Sequence, residues 1–564
     1  MVIARVVRRL RAMGGPVVLL GAALAFWWFE ALYGFNPTED GFVLAQAWRI
    51  RWGEIPHVDF TSPRPLGSAL LHLPEVFLGS GMLAASRLVV TLELLVIAAV
   101  FTHSGRTGRT MGAIGGTALV LLAFLVDVGN WPITAWHTID GLFLAAVAVW
   151  LVPRATAVDG AWRWILVWCV AGMAPLTKQG FLLVPIIVAL EVWRIAGRRA
   201  LRFAPAIVLP WLAFLAWTHP GLAAIRAQSA GFTSDNIRSL AVPLDIIVSG
   251  SEPLALGLGV VCAFVAMRIA TSTRYGKRMR DVFAPIILAL PTLMLGASTH
   301  FAMENGWALV PCASLVVVTF DAWLRTRDRE VLVQLVQISL LGYAATISWS
   351  VPVPSLISGI ALARAIVIVL GVNGTGRRVR ATGAMVTTAI LSVLTIVASV
   401  LVVQARAAEP FLDVPRARLV HSVSTPAFRG VHVSAQVSAF EGSLQRCLRE
   451  HPARWVTIAP VGAGEYPTLG VRNPFGIDWW LDREVPQDHL VRVERVAQRL
   501  NASGDWLVLR LTYDPVNLSA MTVAAVTRPG AAPLPAPGMD RILATLHGRQ
   551  ITCGSLVGEW APAR

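Results

Sequence analysis

Along the first 404 residues, apolar residues fall in blocks separated by short polar or basic stretches, and beyond residue 404 the blocks stop. The long blocks cover 16–35, 88–101, 181–193, 204–217, 253–270, 282–297, 307–324, 331–349, 354–372 and 383–403. Several approach the roughly 20 residues a helix needs to cross the hydrocarbon core of a bilayer. Shorter blocks at 112–128, 139–153 and 162–176 fit as tilted or locally thinned crossings. Backbone in lipid must be satisfied internally, so the blocks predict an all-α polytopic membrane bundle of about 11–13 helices over residues 1–404. Residues 405–564 read differently. Alternating runs at Trp455 to Ile458 and Trp506 to Leu511, beside an amphipathic stretch from Ala439 to Arg449, predict a separate α/β domain long enough to bury its own core.

Charge orients this pattern. The chain is 55% apolar and 14% charged with a net charge of +15, yet its basic residues sit between the blocks. That placement indicates a positive-inside membrane protein and argues against a nucleic-acid partner. The clusters are Arg5 to Arg11, Arg106 and Arg109, Arg194 to Arg202, Arg274 to Arg280, Arg325 to Arg329 and Arg377 to Arg380. Placing all of them in the cytoplasm requires thirteen crossings, with the N-terminus inside and residues 405–564 outside. The first apolar block has no small-residue cleavage site after it and carries Trp27, Trp28 and Phe29, so it reads as an uncleaved span. Cys169, Cys262 and Cys312 fall in spans. Cys447 and Cys553 are the only cysteines of the external domain, a candidate disulfide in an oxidising compartment.

Candidate chemistry gathers on the outer face. Residues 36–75 are too polar to cross and too long for a simple turn, and hold Glu39 and Asp40 just beyond the first span. A carboxylate there can accept a proton from a hydroxyl nucleophile, or Asp40 can cap the next helix. Further external pieces are 129–140, 175–180, 219–250 and 299–306. They bring His137, Asp140, Lys178 and His300 to the same side, while His57 and Asp59 lie in the first loop. Arg64 and Lys178 run against the positive-inside trend, and Lys178 is one of only two lysines among 48 basic residues. The 219–250 stretch mixes apolar residues with Arg226, Asp235 and Arg238, as an interfacial lid would. No HExxH, Walker A or CxxC sequence is present, which removes support for zinc proteolysis, nucleotide hydrolysis and thiol redox chemistry.

Four segments carry a resemblance: Glu39-Asp40-Gly41, Gly53 to Phe60, Arg64-Pro65-Leu66-Gly67 and Thr177-Lys178-Gln179-Gly180. With them the chain resembles the GT-C class of polyprenyl-phosphate-sugar-dependent glycosyltransferases, which includes protein O-mannosyltransferases and the lipid A aminoarabinose transferase. The likeness covers residues 15–310 best and the external domain only through Arg472-Asn473-Pro474. It implies transfer of a sugar, with inversion, from a polyprenyl phosphate to a glycan, lipid or protein hydroxyl at the outer face of a bacterial cytoplasmic membrane. Asp40 or Glu39 would act as base, and Arg64, Lys178 and His300 would hold the donor phosphate. His57, Asp59, His137 and Asp140 are further candidates. A divalent metal is compatible with this chemistry without being required by it. The class usually orders its acidic pair Asp-Glu, whereas here it is Glu-Asp; position favours Glu39 and residue type Asp40, and the expectation is that Asp40, the shorter side chain immediately before Gly41, is the base. A transporter or lipid-linked-sugar flippase is the rival reading, against which the spans offer only Glu30, Glu93 and Arg364 as charged positions. A non-catalytic envelope assembly protein of the same fold is the third.

Overall fold

The computed structural model describes residues 2–62, 64–103, 112–129, 132–157, 160–219, 224, 252–272, 276–302, 306–346, 355–371, 381–410, 412–480, 487–528, 532–536 and 539–564. The expected lid at 219–250 lies outside these residues except for His219 and Ala224, as do Arg106, Arg109, Arg274, Arg377, Arg378 and Arg380. Every apolar block carries a helix. In chain order the first elements are α1 (Val2–Phe26), α2 (Phe42–Arg51), α3 (Gly67–Leu71), α4 (Leu73–Leu78), α5 (Met82–His103), α6 (Gly112–Val128), α7 (His137–Thr156), α8 (Ala161–Thr177), α9 (Val184–Ala196) and α10 (Leu209–Thr218). Helices Glu252–Thr271, Gly276–Ser298, Leu309–Thr326, Arg329–Thr346, Ser358–Gly371 and Ala381–Ala408 follow. Among the described residues, nine helical segments are long and apolar enough to cross a membrane, and three shorter apolar helices accompany them. The protein is a multi-pass helical bundle with a small C-terminal α/β domain.

Charge inside the bundle is partnered rather than absent. Asp127 in α6 accepts from the Gly359 amide at 2.7 Å, and Glu191 in α9 pairs with Arg194, which also reaches Glu330 at 2.9 Å. These positions add to the three charged residues expected in the spans. Each lone charge in hydrocarbon would cost several kcal/mol, about the amount that a close partner offsets.

The C-terminal domain is built on a four-stranded sheet of order β1-β2-β4-β3, from Trp455–Ala459, Gly504–Arg510, Arg549–Cys553 and Leu556–Ala563. Strands β1 and β2 are parallel, which requires a crossover, and helix Gln487–Ser503 supplies it. Strands β3 and β4 form an antiparallel hairpin, and β4 also pairs antiparallel with β2. Helix Ala435–Glu450 is tied to β3 by a disulfide between Cys447 and Cys553, whose Cα atoms lie 5.5 Å apart.

The first loop is a folded layer between bundle and C-terminal domain. Its Arg49, in α2, is buried and makes a two-pronged pair with Asp478, both bonds 2.7 Å, while also reaching Glu54 at 2.6 Å and the Asn473 carbonyl at 3.1 Å. Burial opposes the guanidinium charge, but Asp478 and Glu54 outweigh it and raise its pKa. The Gly34 amide bonds to the His432 carbonyl and that of Thr61 to Gly476, each at 2.9 Å. Loop and domain therefore share one end of the bundle. Lys178 lies at the same end, donating to Thr138 one residue from His137, whose ring packs on Phe42 of the loop.

Candidate functional site

Residues 36–41 form a tight turn built on Asn36. Its side-chain carbonyl accepts from the amides of Thr38 at 3.0 Å and Glu39 at 3.3 Å. The Asp40 carboxylate closes the turn, accepting from the Asn36 amide at 2.9 Å. Its other oxygen lies 3.4 Å from Arg87 of α5, which also donates to the carbonyls of Ala31 and Gly34 at 2.9 and 2.7 Å. Asp40 is thus a buried anchor between the turn and the bundle. Gly41 follows with φ +107°, and a Cβ there would sit 2.7 Å from the Cα of Gly464. Both the backbone conformation and the close approach require glycine. Glu39, one residue earlier, is half-buried on the turn, its amide donating to the Asn36 side chain.

Phe42, at the start of α2, links the turn to Arg64 and His137. The Arg64 guanidinium lies 5.2 Å from the centre of its ring, and the His137 ring 5.7 Å from it. Trp479 of the C-terminal domain packs edge-on against Phe42 at 4.8 Å. Lys178 caps the C-terminal end of α8, is almost fully buried, and donates to the Thr138 hydroxyl at 2.7 Å. Arg64 and Lys178 both lie within electrostatic reach of the His137 ring. The close packing has a local cause. A Cβ on Gly67 would meet the backbone of Leu176 at 2.7 Å, so the start of α3 rests directly on the end of α8.

Asp140, a candidate from the sequence, and Glu93, noted there only as a charge in a span, join a polar cluster with His72 and Glu75, which the sequence reading did not single out. His72, between α3 and α4, bonds through Nδ1 to Glu75 at 2.9 Å and through Nε2 to Asp140 at 3.0 Å. Glu93 of α5 completes it, with ligand-type atoms of His72, Glu93 and Asp140 all within 4.8 Å of one another. Burial disfavours a charged imidazole, yet Asp140 and the other carboxylates dominate and raise the His72 pKa. Two signals pointed here: the His72-Leu73-Pro74-Glu75 spacing, which faces both side chains the same way, and an ionisable Glu93 inside a span.

The remaining candidates disperse. His57 is buried with φ +62° and its ring against Phe214, 6.0 Å away. Asp59 accepts from the Ile55 amide at 2.7 Å and lies 3.8 Å from Arg492, bracing the loop against the C-terminal domain. His300 is exposed just beyond the helix Gly276–Ser298, and among the described residues no interaction joins it to Arg64 or Lys178. A second metal-like grouping, Glu450, His451 and Cys553, is excluded because its sulfur is in the disulfide. At the opposite end of the bundle, α5, α7 and α9 enclose an apolar cavity of about 600 Å³ rimmed by His103, Arg154 and Arg194. No family model, curated protein or solved structure matches this chain.

Proposed function

We propose that the protein is a glycosyltransferase of the GT-C kind, moving a sugar from a polyprenyl phosphate to an acceptor hydroxyl at the outer face of a bacterial cytoplasmic membrane. The observation that carries this reading is the meeting of Arg64 and Lys178, from separate segments, around His137 at the end of the bundle that also holds the acidic turn. A buried and a half-buried cation brought together suit a phosphate leaving group, because low dielectric strengthens their pull on the charge that develops there. Glu39 is the base in this scheme, and Asp40 the residue that positions it. Asp40 already spends its carboxylate on Asn36 and Arg87, so taking a proton would disrupt the turn. Glu39 removes the acceptor proton, the freed oxygen attacks the anomeric carbon, and the sugar–phosphate C–O bond breaks with its electron pair leaving on the phosphate. The acidic turn, Lys178 and the C-terminal domain would all face outward, with the arginine clusters inside.

The transporter reading draws on one observation, the buried His72, Glu75, Glu93 and Asp140 group, since such clusters mark ion pathways in membrane bundles. Purified protein, radiolabelled polyprenyl-phosphate sugars and membrane acceptors separate the two. Glu39→Gln should abolish label transfer while leaving donor binding intact, and Lys178→Ala should weaken donor binding. Asp40→Asn should lower the yield of folded protein. Wild-type turnover in Glu39→Gln would rule out the proposed mechanism, and label crossing sealed vesicles without a covalent product would favour transport.

A further inference from the structure

The structure assigns a binding site for one divalent cation to His72, Glu93 and Asp140, with Glu75 holding His72 in the ligating orientation. This assignment is independent of which group the protein transfers. The three ligating side chains come from three separate elements, the α3–α4 junction, α5 and α7, and their ligand atoms already lie within 4.8 Å of one another. Around an ion bound at about 2.0–2.2 Å, such atoms sit roughly 3–4 Å apart, so a small contraction closes the set.

The hydrogen bond on the far side of the imidazole is the second element of the design. Glu75 takes Nδ1 at 2.9 Å and leaves Nε2 directed at Asp140. A histidine that ligates a metal characteristically gives its other ring nitrogen to a carboxylate in this way, which fixes tautomer and ring plane.

Three oxygens supply an independent indication of a missing partner. Glu75 Oε2, Glu93 Oε2 and Asp140 Oδ2 are buried, and none has a hydrogen-bond partner among the described residues. Their residues are 3%, 5% and 0% exposed, and His72 is 0% exposed, so bulk water does not satisfy them. Three carboxylates against one imidazole also leave the cluster short of positive charge even when the ring is protonated. One divalent cation meets both needs. The mixed nitrogen and oxygen ligand set selects Zn²⁺ or Mn²⁺ over Ca²⁺, which prefers six to eight oxygens. Three protein ligands leave a coordination position open, as in zinc sites that do chemistry.

The test uses full-length protein in detergent, purified through a histidine-free tag, stripped with chelator, dialysed against Zn²⁺, Mn²⁺ or Mg²⁺ separately, and measured by elemental mass spectrometry. The wild type should hold about one equivalent of Zn²⁺ or Mn²⁺, as a single three-ligand site requires. Glu93→Gln, which keeps shape and removes charge, should lose that equivalent while eluting as a folded particle on size exclusion. Glu75→Gln should bind roughly 10–100-fold more weakly, the usual effect of losing an outer-shell partner. Added Zn²⁺ should raise the thermal midpoint of the wild type and not that of Glu93→Gln. Wild-type protein that takes up no stoichiometric Zn²⁺ or Mn²⁺, or Glu93→Gln that retains the wild-type stoichiometry, overturns the assignment and leaves a proton-sharing cluster in its place.

Discussion

Replacing Arg49 with methionine should unseat the C-terminal domain from the first loop. The guanidinium is buried and serves Asp478, Glu54 and the Asn473 carbonyl at once. Asp478 bears most of the loss. Its side chain is 6% exposed, and after the change its remaining side-chain donor is the Asn473 amide at 3.2 Å. Glu54 is 17% exposed and can turn to water or to Arg472, 3.5 Å away. Removing one partner of a buried pair costs about 3–5 kcal/mol, because a charge is left in low dielectric without compensation. For a domain of this size, that lowers the melting temperature by roughly 6–20 °C. The assay is thermal unfolding in detergent, followed by tryptophan fluorescence. The double change Arg49→Met and Asp478→Leu should recover much of the loss, because it removes the stranded carboxylate as well. A drop of less than about 2 °C in the single variant, or a double variant no more stable than the single one, would refute the reasoning.

Two other outcomes follow from the C-terminal domain. Glu441 and Glu465 are buried together, and burial raises both pKa values, that of Glu465 from 4.5 to about 7. A carboxyl raised on folding stabilises most below its unfolded pKa, so stability should fall as pH rises from about 4.5 to about 7, by roughly 3 kcal/mol. Denaturation at pH 5 and pH 8 should show that fall in the wild type and a flatter response in Glu465→Gln. Reducing the disulfide across its 106-residue separation should cost about 2–5 kcal/mol, read as a lower denaturation midpoint that Cys447→Ala with Cys553→Ala reproduces without reductant.

Helix positions were legible in the sequence because lipid leaves a backbone few options: each apolar block, even the short ones at 112–128 and 162–176, became a helix. The strands at Trp455–Ala459 and Gly504–Arg510 were legible as short apolar runs, though the alternation expected of them is absent: both are buried along most of their length. The anchoring of Asp40 was not legible. It depends on Arg87, which arrives from α5 and engages one carboxylate of two adjacent ones. His72, Glu75, Glu93 and Asp140 were hidden for a related reason. Their meeting depends on how the α3–α4 segment folds back onto α5 and α7, and no local spacing encodes a contact 68 residues long. Arg49 and Asp478 are an extreme of the same problem, at 429 residues.

That last separation also has a consequence for biosynthesis. The acidic turn and α2 leave the ribosome early, but the surface that completes them, Gly464 against Gly41 and Asp478 against Arg49, is among the last parts made. At about 5–20 residues per second, roughly 20–90 s separate the two halves of the contact. Throughout that interval the nascent chain carries an Arg49 with Glu54 but without Asp478, and an open Phe42 face, on a loop tethered by short helices. A chain truncated between residues 409 and 460 would keep its membrane helices and still never finish its first loop, which makes the loop a gauge of how far synthesis has gone.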